Sequence, residues 1–146
     1  MAQAAHLNGI AAGASIQIPI NVTASTTSGQ IGSLQNPEPQ LGNIFPKDVI
    51  VQRATLLITQ KSSAACTLDI GVASTLTLSD NLMDGVSVAA TPANTVYSNL
   101  SAPGTNGEPE RYMASTDYVT VSVASGNANG LQGTLFVNYA LLDGGP

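Results

Sequence analysis

The sequence predicts an all-β fold, an antiparallel β-sandwich or jelly-roll-like domain with an extended N-terminal arm. Apolar and polar residues alternate in several short runs, the pattern of strands with one buried face. The runs recur about every ten residues, with Gly, Asn and Pro turns between them. No stretch has the apolar spacing of an amphipathic helix. A closed barrel is the second choice.

Residues 1–47 are predicted to form the arm, with one edge strand inside it. Residues 1–14 are rich in Ala and Gly and predict a flexible start. Ile residues alternating with polar ones then predict a strand at about 15–22. Pro19 makes this an edge strand, because proline cannot donate a ladder hydrogen bond. Residues 23–47 have no regular period and predict an extended surface segment or a hinge.

Residues 48–146 are predicted to form the sandwich body. The predicted strands cover residues 49–60, 66–72, 86–88, 95–97, 111–113, 118–123 and 131–142. Ser79 as an N-cap would allow a helical turn at 80–83. The Gly- and Asn-rich stretch 126–130 predicts a hairpin loop. Alternation places Ala54, Leu56 and Ile58 on one face of their strand and Thr55, Leu57 and Thr59 on the other. In the last strand it directs Leu135, Val137, Tyr139 and Leu141 to the core.

Charge is scarce throughout the chain. Only 9% of residues are charged, against about a quarter in an average soluble domain, and the net charge is −5. The four basic residues form no patch, so direct nucleic-acid binding and binding to anionic membranes are not expected. A surface so poor in Lys and Glu predicts burial against other copies or a larger assembly.

Few residues could perform catalysis. The single histidine, His6, lies in the arm, and no nucleophile, zinc or phosphate-binding motif is present. Cys66, the one cysteine, lies in an alternating run and is predicted to be a small buried hydrophobe; an intermolecular disulfide or reactive thiol is the alternative. We expect no cofactor and no enzymatic activity; an enzyme built on carboxylates is the remaining catalytic alternative.

Two groups of residues are candidates for binding. Asp80 and Asp84, with Asn81 between them, are weak candidates for Ca²⁺ ligands, although residues of these types also form turns and caps. The candidates for contact with other subunits are Ile16, Ile18, Ile44, Phe45, Arg53 and Arg111.

Two segments resemble a known family. They are Asp69–Gly85 (DIGVASTLTLSDNLMDG) and Asp117–Tyr139 (DYVTVSVASGNANGLQGTLFVNY). Both are similar to segments of the decoration or capsid-stabilising proteins of tailed-bacteriophage heads, and the resemblance spans roughly residues 48–142. It implies a homotrimer on the outer surface of an icosahedral capsid, bound to the major capsid protein. It also implies that residues 1–47 contact the capsid, and that the protein is made in the host cytoplasm.

Other functions remain open from the sequence alone. The chain would also suit a small jelly-roll capsid subunit, a head fibre or a tail-associated structural protein. A carbohydrate-binding or adhesin β-sandwich is less favoured, because the chain has no Trp to stack on a sugar.

Overall fold

The computed structural model describes residues 14–35, 48–74, 78–88 and 92–141. These residues form two antiparallel sheets, and none of them is helical. The strands are β1 (Ala14–Asn21), β2 (Gly29–Gln35), β3 (Val49–Gln60), β4 (Cys66–Ala73), β5 (Met83–Ser87), β6 (Thr95–Ser98), β7 (Arg111–Met113), β8 (Tyr118–Gly126) and β9 (Gln132–Leu141).

The strand order is that of a jelly roll. One sheet has five strands in the order β1-β9-β3-β6, with β7 also pairing with β3, and the other has four in the order β2-β8-β4-β5. The pairs β1·β9, β2·β8, β3·β6 and β4·β5 are nested, as in one long antiparallel hairpin. Rolling that hairpin into two sheets creates the additional pairs β3·β9 and β4·β8. The predicted fold class is confirmed.

Alternate residues of both sheets form one core between them. Leu56 and Leu135, which are paired in the five-stranded sheet, are fully buried, as are Ile70 and Val121 in the four-stranded sheet. Each such side chain stabilises the fold by about 1.5–3 kcal/mol. The core positions predicted on β9 are confirmed up to Tyr139, whereas the side chain of Leu141 lies outside the described residues. On β3, the face of Ala54, Leu56 and Ile58 is the buried one.

The segment predicted as an arm contributes two strands to the sheets. β1 pairs with β9 at an edge, where Pro19 needs no ladder partner on its free side. β2 was not predicted, because its sequence, GQIGSLQ, is poor in β-branched residues. It pairs with β8 and passes close to β1: a Cβ at Gly32 would lie 3.1 Å from the Ile18 side chain. Residues 1–13 and 36–47 of the predicted arm lie outside the described residues.

The connection at 126–130 is not a hairpin, because β8 and β9 belong to different sheets. It crosses the end of the sandwich with positive φ at Gly126 and Gly130. The amides of Gly130 and Ala128 donate to carbonyls of the β1–β2 connection, at 2.9 and 2.8 Å. The glycines were correctly recognised as turn residues, but turn chemistry does not specify which sheet the next strand joins.

Residues 80–83 do not form the helical turn that the N-cap pattern allowed. The Asn81 side chain instead pairs with the backbone of Val72, accepting from its N–H at 2.8 Å and donating to its C=O at 2.9 Å. This pairing continues the edge of β4, and β5 begins at Met83. The Asn81 side chain thus supplies both the acceptor and the donor that a neighbouring strand would offer to Val72. These two hydrogen bonds favour the extended backbone here over an isolated helical turn.

Candidate assembly surfaces

The five-stranded sheet has an outer face with almost no charge. Its side chains alternate with the core residues and therefore point away from the four-stranded sheet. In the described strands, the register assigns to this face Ile50, Arg53, Thr55, Leu57, Val96, Ser98, Tyr112, Thr134, Phe136, Asn138 and Ala140, with Gln17 and Pro19 of β1. Arg53 is the only charged residue among them.

Five of these residues form what we call the apolar band: Ile50, Leu57, Val96, Tyr112 and Phe136. Leu57 lies opposite Val96 and Ile50 opposite Tyr112. Phe136, opposite Thr55, is a diagonal neighbour of Leu57. Val96 is 57% exposed and Tyr112 50%, the latter donating its hydroxyl to Asp48 at 2.7 Å. Val96 and Tyr112 lie at the two ends of the same β3 edge, on β6 and β7, and exposed apolar side chains joined by further apolar residues mark candidate interaction surfaces.

Arg53 reaches this face because β3 contains a bulge. The register with β9 shifts between Val51 and Arg53, so Gln52 is the extra residue. The parity of the strand changes there, and Arg53 points outward while Val51 and Ala54 both point inward. Arg53 is exposed, and the structure gives it no hydrogen-bond or ion-pair partner among the described residues. It lies between the two ends of the apolar band.

Asn99 supports this face from its edge. On the edge of β3 opposite β9, no described strand pairs with residues 52–54, which lie between the parts paired with β6 and β7. The Asn99 side chain accepts from the Ala54 N–H at 2.9 Å and donates to the carbonyls of Glu108 and Pro109, each at 2.9 Å. Its own N–H donates to the Ala54 carbonyl at 3.1 Å. Sequence analysis missed this residue, since a single Asn in a Ser- and Pro-rich loop carries no distinctive pattern.

A second surface contains three carboxylates, which we call the acidic cluster: Asp69, Asp80 and Asp84. Asp69 accepts from the Gly85 N–H at 2.8 Å. Asn106 bridges the other two, its side chain donating to Asp80 at 2.8 Å and its backbone N–H to Asp84 at 3.2 Å. Burial, followed by the charges of Asp84 and Asp80, raises the pKa of Asp69, which the Gly85 hydrogen bond opposes. Among the described residues, the only charged groups that shift the pKa of Asp69 are therefore the other two carboxylates.

The Ca²⁺ candidates lie within this cluster. Asp80 and Asp84 are brought together, as the sequence suggested, but their oxygens accept hydrogen bonds from Asn106. No group of three or more His, Cys, Asp or Glu residues in the described ranges is arranged to hold a metal ion. The two carboxylates hold the segment of residues 80–84 against Asn106, and Ca²⁺ binding by them stays a prediction.

The candidate interface residues have different environments. Ile18 is buried in the core of its own sandwich, which leaves its side chain no surface for a partner, while Ile16 is partly buried against that core. Arg111 donates to Glu108 at 2.8 Å within the chain, whereas Arg53 is exposed. Ile44 and Phe45 lie outside the described residues.

Cys66 is buried at the start of β4, as predicted for a small hydrophobe. Burial raises the pKa of its thiol, which lowers the thiolate fraction at neutral pH. Within the described ranges, no helix is long and apolar enough to span a bilayer.

Comparison with known proteins gives one solved structure of similar fold. No family model matches this chain, and no curated protein matches it by sequence. The fold resembles that of a chain in the structure titled "Capsid of Ralstonia phage GP4", with a TM-score of 0.51 and 17% sequence identity. The match covers 88% of this chain and 84% of that chain. At this identity the similarity establishes a shared fold.

Proposed function

We propose that this protein is a structural component of a phage virion, which decorates and stabilises the outer surface of an icosahedral capsid as a homotrimer. The observation that carries the proposal is the fold shared with a chain of a phage capsid over 88% of the sequence. The proposed partners are further copies of this chain and the major capsid protein, and the proposed location is the capsid exterior.

The surface chemistry supports a role in assembly. An isolated soluble domain normally surrounds its exposed apolar side chains with charge. This chain instead leaves Val96 and Tyr112 exposed on a face whose strands carry a single charged residue, Arg53, with Asp48 bonded to Tyr112 at its border. Contacts of this kind are individually weak, but many identical copies on a symmetric shell bind strongly through multivalency.

Capsid binding tests the proposal directly. The purified protein is mixed with expanded shells of the encoding phage that lack it, and the bound copies are counted by gel densitometry after sedimentation. We expect saturable binding at a multiple of three copies per site, and shells that withstand a higher temperature when decorated. Absence of binding to expanded shells would contradict decoration.

A second candidate is a shell subunit, because jelly rolls also build viral capsids. Electron microscopy of the purified protein alone separates the two functions. A decoration protein stays as small discrete oligomers, whereas a shell subunit forms closed particles or sheets. Decoration is preferred because the two segments Asp69–Gly85 and Asp117–Tyr139 resemble those of decoration proteins.

A further inference from the structure

The outer face of the five-stranded sheet carries apolar side chains that are exposed to different degrees. Val96 and Tyr112 project from it, whereas Leu57, Phe136 and Ile50 are half-buried. No hydrogen bond or ion pair engages Arg53 among the described residues. A partner for this face has to cover apolar side chains and supply a negative charge near the centre.

The chain itself carries that negative charge. It has nine acidic and four basic residues. In the described ranges, its one intramolecular ion pair joins Arg111 and Glu108. Asp69, Asp80 and Asp84 lie close enough to one another for the charges of Asp80 and Asp84 to raise the pKa of Asp69. Among the described residues, Arg53 on one surface has no anionic partner, and the carboxylates on the other surface have no cationic one.

The position of Arg53 also restricts how two copies can meet. In a two-fold contact, the same patch is used by both subunits, and residues near the axis face their own equivalents. Because Arg53 lies between the two ends of the apolar band, stacking two identical faces would bring the two guanidinium groups together. A contact between different patches avoids this repulsion, and it closes into a ring when the rotation between copies is a whole fraction of a turn.

We propose that the outer face of the five-stranded sheet binds a second copy of this chain, with Arg53 opposite the neighbour's acidic cluster and the apolar band beneath its surrounding loops. The contact is heterologous, so repetition around a three-fold axis uses both patches of every copy. This inference rests on the homotrimer of the proposed function and names the surfaces that build it.

The first test reverses the charge at the centre of the face. Oligomeric mass of the full chain is measured against concentration by mass photometry and analytical ultracentrifugation, for the wild type, Arg53→Glu and Lys61→Glu. Lys61 is the matched control, because it is exposed, lies just after β3 and carries the same charge. We expect Arg53→Glu to weaken self-association at least about tenfold and Lys61→Glu to leave it unchanged.

Two milder variants separate the apolar and charged contributions. Val96→Thr changes polarity with little change of shape at an exposed site, so the protomer should stay folded and associate more weakly. In a double-mutant cycle, Arg53→Gln and Asp80→Asn should each weaken association, with less than additive effect when combined. Circular dichroism confirms folding of every variant.

Three results would overturn the inference. One is a wild-type protein that stays monomeric. Another is an oligomer unaffected by both Arg53→Glu and Val96→Thr. The third is an oligomer that survives these changes but loses binding to expanded shells, which would make the shell protein the occupant. Shell binding is measured in parallel, so a monomer that still decorates shells refutes this interface alone, and a trimer that ignores shells refutes decoration alone.

Discussion

The two outer faces of the sandwich are built differently. On the four-stranded sheet, Thr120 and Ser122 point away from the core and are nevertheless completely buried. Beside them, Ser79 packs so closely over Gly71 that a Cβ there would lie 2.7 Å from the Ser79 backbone. On the five-stranded sheet, the outward residues include large apolar side chains that stay exposed, Val96 and Tyr112 among them.

The side chains of the two outer faces differ in size and polarity. Small hydroxylated residues allow the chain to close over one sheet within the protomer. Leu57, Phe136 and Val96 on the other sheet are large and uncharged, and they gain most from contact with another molecule. A jelly roll with one covered and one open face is therefore suited to associate through the open one.

The largest expected difference comes from placing the same carboxylate on each face. Ser122→Asp buries an unpaired charge beneath the cover of the four-stranded sheet and should destabilise the fold by more than about 4 kcal/mol. Thr134→Asp, on the open face, should cost less than about 1 kcal/mol, because the carboxylate stays hydrated. Urea denaturation followed by circular dichroism measures both. Equal losses would mean that the faces do not differ in accessibility.

Loss of the Asn99 side chain should have the next largest effect. Asn99→Ala leaves the Ala54 N–H and the carbonyls of Glu108 and Pro109 without this partner, at a cost of about 2–3 kcal/mol. Asn138→Ala is the matched control, because Asn138 is exposed on the open face and should change stability by less than about 0.5 kcal/mol. An equal loss of stability in the two variants would mean that the Asn99 hydrogen bonds do not stabilise the sheet edge.

The covered face contains a buried hydroxyl group whose removal should stabilise the protein. The Thr120 hydroxyl oxygen is buried without a hydrogen-bond partner among the described residues. Thr120→Val removes this group with little change of shape and should stabilise the protein by about 1 kcal/mol. Thr55→Val, on the open face, should be nearly neutral for folding. The midpoint of thermal unfolding distinguishes them, and a destabilised Thr120→Val would indicate that the hydroxyl has a partner.

The smallest effect concerns pH and the acidic cluster. Burial and the neighbouring Asp84 and Asp80 charges raise the pKa of Asp69 in the folded state. Folded protein then binds more protons than unfolded protein at pH values between the two pKa values, so stability falls as pH rises through that range. Asp69→Asn keeps an oxygen to accept from Gly85 and should be slightly more stable at pH 7.

That advantage should shrink as the pH falls through the raised pKa towards about 4, the usual range for an aspartate. Thermal unfolding of both proteins across this range measures it. An advantage that stays constant with pH would mean that Asp69 does not titrate differently in the folded state.

Much of the fold was predictable from local patterns. The strands β3, β8 and β9 are long and rich in β-branched or large apolar residues at alternate positions, so their two faces were distinguished correctly, and for β9 the core face was identified as well. β2 was missed because Gly29 and Gly32 give it little strand propensity of its own; its pairing with β8 and its packing against Ile18 form it.

The candidate site was predicted in part. Arg53 was singled out because basic residues are scarce, and the change of parity from Val51 to Ala54 is a sequence signal of the bulge that directs it outward. Ile18 was proposed for an interface, yet its side chain is buried in the core. Alternation alone does not tell whether the apolar side of an edge strand faces the core or a partner. Asn99 had no recognisable signal, because its role depends on a gap between two distant strands.

The sequence by itself determined an antiparallel all-β sandwich, most of its core residues and a surface almost without charge. The strands follow from the alternation of apolar and polar residues, which is a local property of the sequence. The low surface charge follows from composition, which is a sum over residues. The tertiary structure alone decided that the 126–130 turn joins different sheets, that β2 exists, and which outer face is covered. Each of these depends on contacts between residues far apart in the chain, and a short run of sequence carries no information about its distant neighbours.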